Sequence, residues 1–149
     1  MSPYKESFYG LFLSQTKQIL NKSADSKYHF TQLINCTLAL FSILLERVQD
    51  EQGYRKFFLR RIIAKMETLD MIAFAPDGIT DYGLLCCFRN AMTHSDVSST
   101  KPFVETECFA DCTIMGTANN HKYQCTFTIS EESVKQLSVF IIDMFSEIS

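Results

Sequence analysis

Along most of this chain apolar residues recur at the three- and four-residue spacing of helices, and only late does the spacing fall to two. A first amphipathic helix is predicted from about Tyr4 to Leu20, with Phe8, Leu11, Phe12 and Ile19 on one side. The NKSADS segment breaks it. A second helix, about Ser26 to Asp50, sets Phe30, Leu33, Ile34, Thr37, Leu38, Phe41, Leu44, Leu45 and Val48 at i, i+3, i+4 positions. Leu40 and Ile43 widen that stripe, which marks this as the central, mostly buried helix. Glu46 and Arg47 interrupt its apolar face near the end, either pairing or lining a cleft, and Gly53 closes it. His29 falls at its start, as a surface residue.

A third helix, about Tyr54 to Met71, alternates Phe57, Phe58, Ile62 and Met66 with basic residues. FAPDGITD reads as a loop, with Pro76, Asp77 and Gly78 as turn formers and Thr80 or Asp81 as N-cap of a fourth helix. That helix runs to about His94, and SDVSSTKP follows as polar linker. From Val104 to Ile114 the period becomes two: Val104, Cys108, Ala110, Cys112 and Ile114 face one way, Glu105, Glu107 and Asp111 the other. After the turn GTANNHK, in which His121 is exposed, Tyr123, Cys125, Phe127 and Ile129 alternate with Gln124, Thr126 and Thr128. This is a β-hairpin spanning about 103–129. Ser130 then caps a last helix whose Val134, Leu137, Ile141, Met144, Phe145 and Ile148 form a stripe, with acids in its first turn. The pattern predicts a mainly α fold: one domain over 1–149, a bundle of about five helices with the hairpin inserted before the last.

Composition adds to this picture in three places. Thirteen Phe and no Trp point to a core of Phe, Leu and Ile, and five Gly with three Pro favour long helices over a turn-rich β architecture. The net charge of −3 does not advertise nucleic-acid binding, yet YRKFFLRRIIAK holds Arg55, Lys56, Arg60, Arg61 and Lys65 with no acid. That local +5 leaves −8 on the remainder, so a polyanion such as RNA has one obvious landing place, although such a run also serves as a plain solvated face.

Six cysteines are too sparse and irregular for a disulfide scaffold. Cys36, Cys86 and Cys87 fall in apolar helical segments as small hydrophobes, and Cys108, Cys112 and Cys125 with His121 lack clean CxxC knuckles, so structural filling is expected over a metal site. No cofactor is expected. The longest strongly apolar run, within LINCTLALFSILL, is 13 residues and falls short of the roughly 20 a bilayer crossing needs. Glu6 interrupts the N-terminal stretch where a signal core would lie, so a soluble, cytoplasmic protein without membrane contact is the expectation.

The chemistry concentrates in FRNAMTHSDV, at the end of the fourth helix. Asn90 and His94 are i, i+4 neighbours on one face. Arg89 stands about 140° from His94 around an ideal axis, within reach of a long side chain, and shares a face with Thr93. A capped helix end with a few solvated polar groups accounts for these residues. They also form a set suited to phosphodiester chemistry. The guanidinium matches phosphate oxygens and the added charge of a pentacoordinate transition state. The imidazole titrates near neutrality and can exchange protons with a ribose 2′-OH or a leaving 5′-oxygen. The amide can orient either partner, and no metal is required.

R-N-x-x-x-H on a helix preceded by apolar residues resembles the R-x4-6-H signature of the HEPN superfamily, where the residue after arginine is typically polar and often asparagine. That resemblance implies an all-helical domain that dimerises and brings two motifs into one cleft. It implies a metal-independent RNA endonuclease of toxin or defence type, with Arg89 and His94 catalytic, Asn90 supporting, RNA as substrate and an antitoxin protein as a further partner. A two-fold pair would supply two histidines, one as base and one as acid. The hairpin departs from the plain bundle. A tyrosine two positions after the histidine, modified by the antitoxin in one HEPN group, is here Asp96, so that mechanism is not carried over. Asp96 instead holds His94 or merely ends the helix. The alternative function is a non-catalytic HEPN-like module that holds a nucleotide or a protein in the same pocket. A third is a structural interaction protein assembled through its apolar last helix.

Overall fold

The computed structural model describes the backbone of residues 3–22, 29–50, 54–94, 98–99, 112–118 and 122–148, and the side chains of residues 10–20, 33–46, 57–93, 113–118 and 122–144. The chain order is α1 (Pro3–Lys22), α2 (His29–Asp50), α3 (Tyr54–Thr68), β1 (Ile72–Phe74), α4 (Asp81–His94), β2 (Ser98–Ser99), β3 (Cys112–Ala118), β4 (Tyr123–Ile129) and α5 (Glu131–Ile148). The fold is mainly α. Among the described residues no helix is long and apolar enough to cross a membrane.

The wide stripe of α2 makes it central, as its periodicity predicts. Leu33, Leu40, Phe41, Leu44 and Leu45 are buried, and α2 packs against both α4 and α5. Thr37, on the same stripe, is buried without being left unpaired. Its hydroxyl donates to the Leu33 carbonyl at 2.7 Å and lies 2.8 Å from the buried Ser138 hydroxyl of α5. From α5, Val134, Leu137, Ile141, Ile142 and Met144 complete that contact. Its N-terminus is capped reciprocally: Ser130 Oγ accepts from the Ser133 N–H at 3.1 Å, and Ser133 Oγ accepts from the Ser130 N–H at 2.9 Å.

The first helix buries a face that only partly overlaps the expected one, sharing Phe12, which packs half-buried against the core. Leu13, Thr16 and Leu20 turn inward toward α5, while Leu11 and Ile19 stand 59% and 44% exposed. The true stripe contains a threonine, which a count of apolar positions passes over.

The hairpin is the middle of a four-stranded antiparallel sheet ordered β1-β4-β3-β2. Neither edge strand was expected: β1 follows the predicted third helix and runs into the FAPDGITD loop, and β2 lies in the SDVSSTKP linker. The third helix stops at Thr68, short of Met71, because Asp70 adopts φ 54°. Met71 N–H then returns to the Met66 carbonyl at 2.9 Å and Asp70 N–H to the Glu67 carbonyl at 3.1 Å, a Schellman closure built on aspartate. The chain leaves in extended form and pairs with β4, the Thr128 N–H donating to the Met71 carbonyl at 2.8 Å.

The described part of the hairpin's first strand lies later than predicted. Gly116, Thr117 and Ala118, read as turn, are paired residues of β3, opposite Cys125, Gln124 and Tyr123. Residues 100–111, including Val104, Cys108 and Ala110, lie outside the described residues. The inward face of β4 is as expected, with Cys125, Phe127 and Ile129 buried. Phe88 of α4 joins the layers: its ring centroid lies 5.0 Å from that of Phe41 on α2 and 5.0 Å from that of Phe127 on β4.

Candidate functional site

Helix α4 is positioned from its start. Thr80, not Asp81, supplies the cap: its Oγ1 accepts from the Gly83 N–H at 3.0 Å, while Asp81 favours the first turn electrostatically. Leu84, Leu85, Cys87, Phe88 and Ala91 form the buried stripe, and it lies on the sheet through β3 and β4.

The contact with β3 is unusually close because of Gly116. A Cβ there would fall 2.0 Å from the Cys87 carbonyl oxygen, 2.7 Å from the Ala91 nitrogen and 2.9 Å from the Ala91 Cβ. Only glycine lets the helix backbone rest on the strand at this point.

That proximity brings Asn90 to a strand carbonyl. Its Nδ2 donates to the Thr117 oxygen at 2.8 Å. Its Oδ1 accepts from Arg89 Nε at 3.3 Å and from Arg89 Nη2 at 3.2 Å. One amide therefore ties the hairpin backbone to the guanidinium. Asn90 was expected as a supporting residue facing a cleft; it is half-buried and spans from β3 to Arg89.

On the outer side, Cys86 and Tyr82 stand one and two turns before Arg89. Burial pushes the Cys86 thiol above its ordinary value, against the pull of a hydrogen bond with Tyr82 and the Arg89 charge. Sequence reading missed both neighbours, because i, i+3 and i+7 spacing from Arg89 looks like ordinary helix filling. The Thr93 hydroxyl, a candidate for the same focus, instead donates to the Arg89 carbonyl at 3.0 Å. His94 is the last residue of α4, one helical turn past Asn90, and its side chain and Asp96 lie outside the described residues.

Cys125 is buried beside Cys87. Burial, the hydrogen bond with Cys125 and the neighbouring thiols together push the Cys87 thiol up to about 12. Cys108 and His121, the other members of the weighed zinc group, and the Cys112 side chain lie outside the described residues.

The predicted RNA-binding run on α3 divides. Arg60 is paired twice, with Glu67 at 3.1 Å and with Asp81 at 3.1 Å. Its head therefore sits at the first turn of α4, some 20 Å of helix from His94. Sequence reading set Arg60 in an acid-free run, and the acids that meet it come from two α3 turns further on and from α4. Arg61 and Lys65 turn toward α5: the Arg61 guanidinium lies 5.7 Å from the ring centroids of both Phe57 and Phe140, and Lys65 Nζ lies 5.7 Å from Phe140. The side chains of Arg55, Lys56, His29 and Arg47 lie outside the described residues; Glu46 is exposed.

Compared with protein-family models, curated proteins and solved structures, the chain finds no match. What the site can do rests on its own geometry: a half-buried guanidinium held by an amide, next to a helix end that carries the chain's R-N-x-x-x-H histidine.

Proposed function

We propose that this chain is a metal-independent RNA endonuclease of HEPN type, a toxin or defence effector acting in the cytoplasm as a homodimer. The observation that carries the reading is the Asn90 amide on the inner edge of the Arg89 guanidinium. With Nε and Nη2 engaged there, the Nη1–Nη2 end is the edge a phosphate would take. A guanidinium restrained before substrate arrives stabilises the phosphorane with little reorganisation.

His94 would take the proton from a ribose 2′-OH, whose oxygen attacks the adjacent phosphorus. The 5′-oxygen of the next nucleotide then leaves with a proton from a second imidazole. The products are a 2′,3′-cyclic phosphate and a free 5′-hydroxyl. Two motifs related by a two-fold axis supply the two imidazoles. An antitoxin that covers this helix end would silence the reaction.

A second reading rests on the other half of the same amide. The Asn90–Thr117 bond fastens α4 to the sheet, a structural duty that a non-catalytic nucleotide- or protein-binding module would need equally.

Incubation of labelled single-stranded RNA with purified protein in EDTA separates the two. The nuclease reading expects cyclic-phosphate ends, loss of cleavage in Arg89→Ala and His94→Ala, and a dimer by light scattering. Intact RNA under all conditions, with cellular toxicity unchanged in both variants, removes the nuclease reading.

A further inference from the structure

A stripe on α3 unconnected with the Arg89 segment has the makings of a second contact surface. Phe57, Arg61 and Lys65 follow one another at i, i+4, i+8, along about 12 Å of helix. Phe57 is 64% exposed, a large aromatic ring offered to solvent with a cation beside it. Phe140 of α5 continues the row, with Arg61 and Lys65 both over its ring. Beyond Phe140 opens a groove of about 450 Å³, lined among others by Lys65, Lys135, Gln136 and two acids. Asp143 is neutralised by Lys17 at 2.7 Å, and Glu132 accepts a hydrogen bond from Gln136 at 2.8 Å. With Asp143 set against Lys17, the described lining of the groove leaves Lys65 and Lys135 against Glu132, an excess of one positive charge.

We propose that Phe57, Arg61, Lys65 and Phe140 form a stacking platform for single-stranded nucleic acid. A base has a planar π face for the open ring of Phe57, and the phosphates on either side of it meet Arg61 and Lys65. Gln136 and the lysines of the groove offer donors to base edges. A duplex keeps its bases stacked on one another and cannot use the ring. The platform rests on the nuclease reading only for its RNA; its chemistry is shared by single-stranded DNA.

The test uses the full chain and a short fluorescent 2′-O-methyl oligouridine, which cannot be cut by 2′-OH attack, with oligothymidine and an RNA duplex as further arms. Binding is followed by anisotropy, and the melting curve of each variant verifies folding. Phe57→Ala is expected to weaken oligouridine binding roughly 5- to 100-fold, with Phe57→Tyr close to the parent. Arg61→Gln is expected to flatten the salt dependence by roughly one phosphate contact. Equal weakening of oligothymidine assigns the site to single strands generally, and weakening of oligouridine alone assigns it to RNA; both sustain the platform. It is overturned by parental affinity in Phe57→Ala, by absence of binding in the parent, or by equally good competition from duplex. It is also overturned if Phe57→Ala dissociates a dimer while leaving affinity unchanged, since the ring then serves a protein interface. RNA cleavage with unaltered binding in Phe57→Ala removes the platform and keeps the nuclease, whereas Phe57-dependent binding without any cleavage does the reverse.

Discussion

Two arginines on this molecule are treated in opposite ways. Arg89 lies half-buried against an amide that is itself fastened to a strand carbonyl, so its direction is set by tertiary structure. Arg61, also half-buried, lies between the rings of Phe57 and Phe140. The first arrangement suits a group that must meet developing charge at one point. The second sets a cation against aromatic faces. The difference teaches that a cation's value to a site lies in what restrains it, and that restraint here comes from β3.

Closing the space that allows the restraint should produce the largest effect. Gly116→Ala would drive a methyl into the Cys87 carbonyl and the Ala91 backbone, so α4 must lift or the strand must bend. A loss of about 3 kcal/mol in urea unfolding is expected. Gly10 in α1 meets nothing within 4 Å, and Gly10→Ala should instead stabilise by about 0.5–1 kcal/mol. Equal effects at the two glycines would show that the close approach is not what Gly116 provides.

Alkaline unfolding probes the same layer. The Cys87 thiol ordinarily titrates near 9.0 and is pushed up to about 12 by burial and the adjoining thiols. Because the folded state holds this proton more tightly, its contribution is complete below about pH 9 and is lost as pH rises toward 12. Stability of the parent should therefore fall through that window more steeply than stability of Cys87→Ala. The half-buried Cys86 should be alkylated by iodoacetamide before Cys87 or Cys125, both fully buried.

Removing the tie alone should act on both stability and direction. Asn90→Ala leaves the Thr117 carbonyl and the guanidinium without their partner, at about 1–2 kcal/mol of stability. Smallest of all is Arg60→Ala. Its two ion pairs lie in solvent, with Arg60 and Glu67 exposed and Asp81 half-buried, and about 0.5 kcal/mol or less is expected by thermal melting.

Where a segment's own period determined its partner, the structure was readable from sequence. Helices α2 and α5 carry stripes of full width, the buried faces of α2, α5 and β4 followed from their periods, and threonine and serine caps mark the starts of α4 and α5. Three features escaped. β1 is three residues long with two of them exposed, too short to display a period, and the turn that frees it uses Asp70 where glycine is the usual signal. Gly116 reads as a turn former, and only the helix lying on it explains why a strand should contain it. At the candidate site, Arg89, Asn90 and His94 were legible as a spacing on one helix. The use of Asn90 was not, because its partner is a main-chain carbonyl in a strand 27 positions away, where the side chain of Thr117 gives no hint.

The most direct test of a strand-held arginine in the proposed ribonuclease site is the RNA cleavage rate in EDTA for four proteins: the parent, Arg89→Ala, Asn90→Ala and the double variant. If Asn90 acts through Arg89, the parent cleaves, Asn90→Ala is slower by about tenfold or more, and the double variant is no slower than Arg89→Ala. Losses that multiply in the double variant would contradict the account, as would a parent protein that leaves RNA intact.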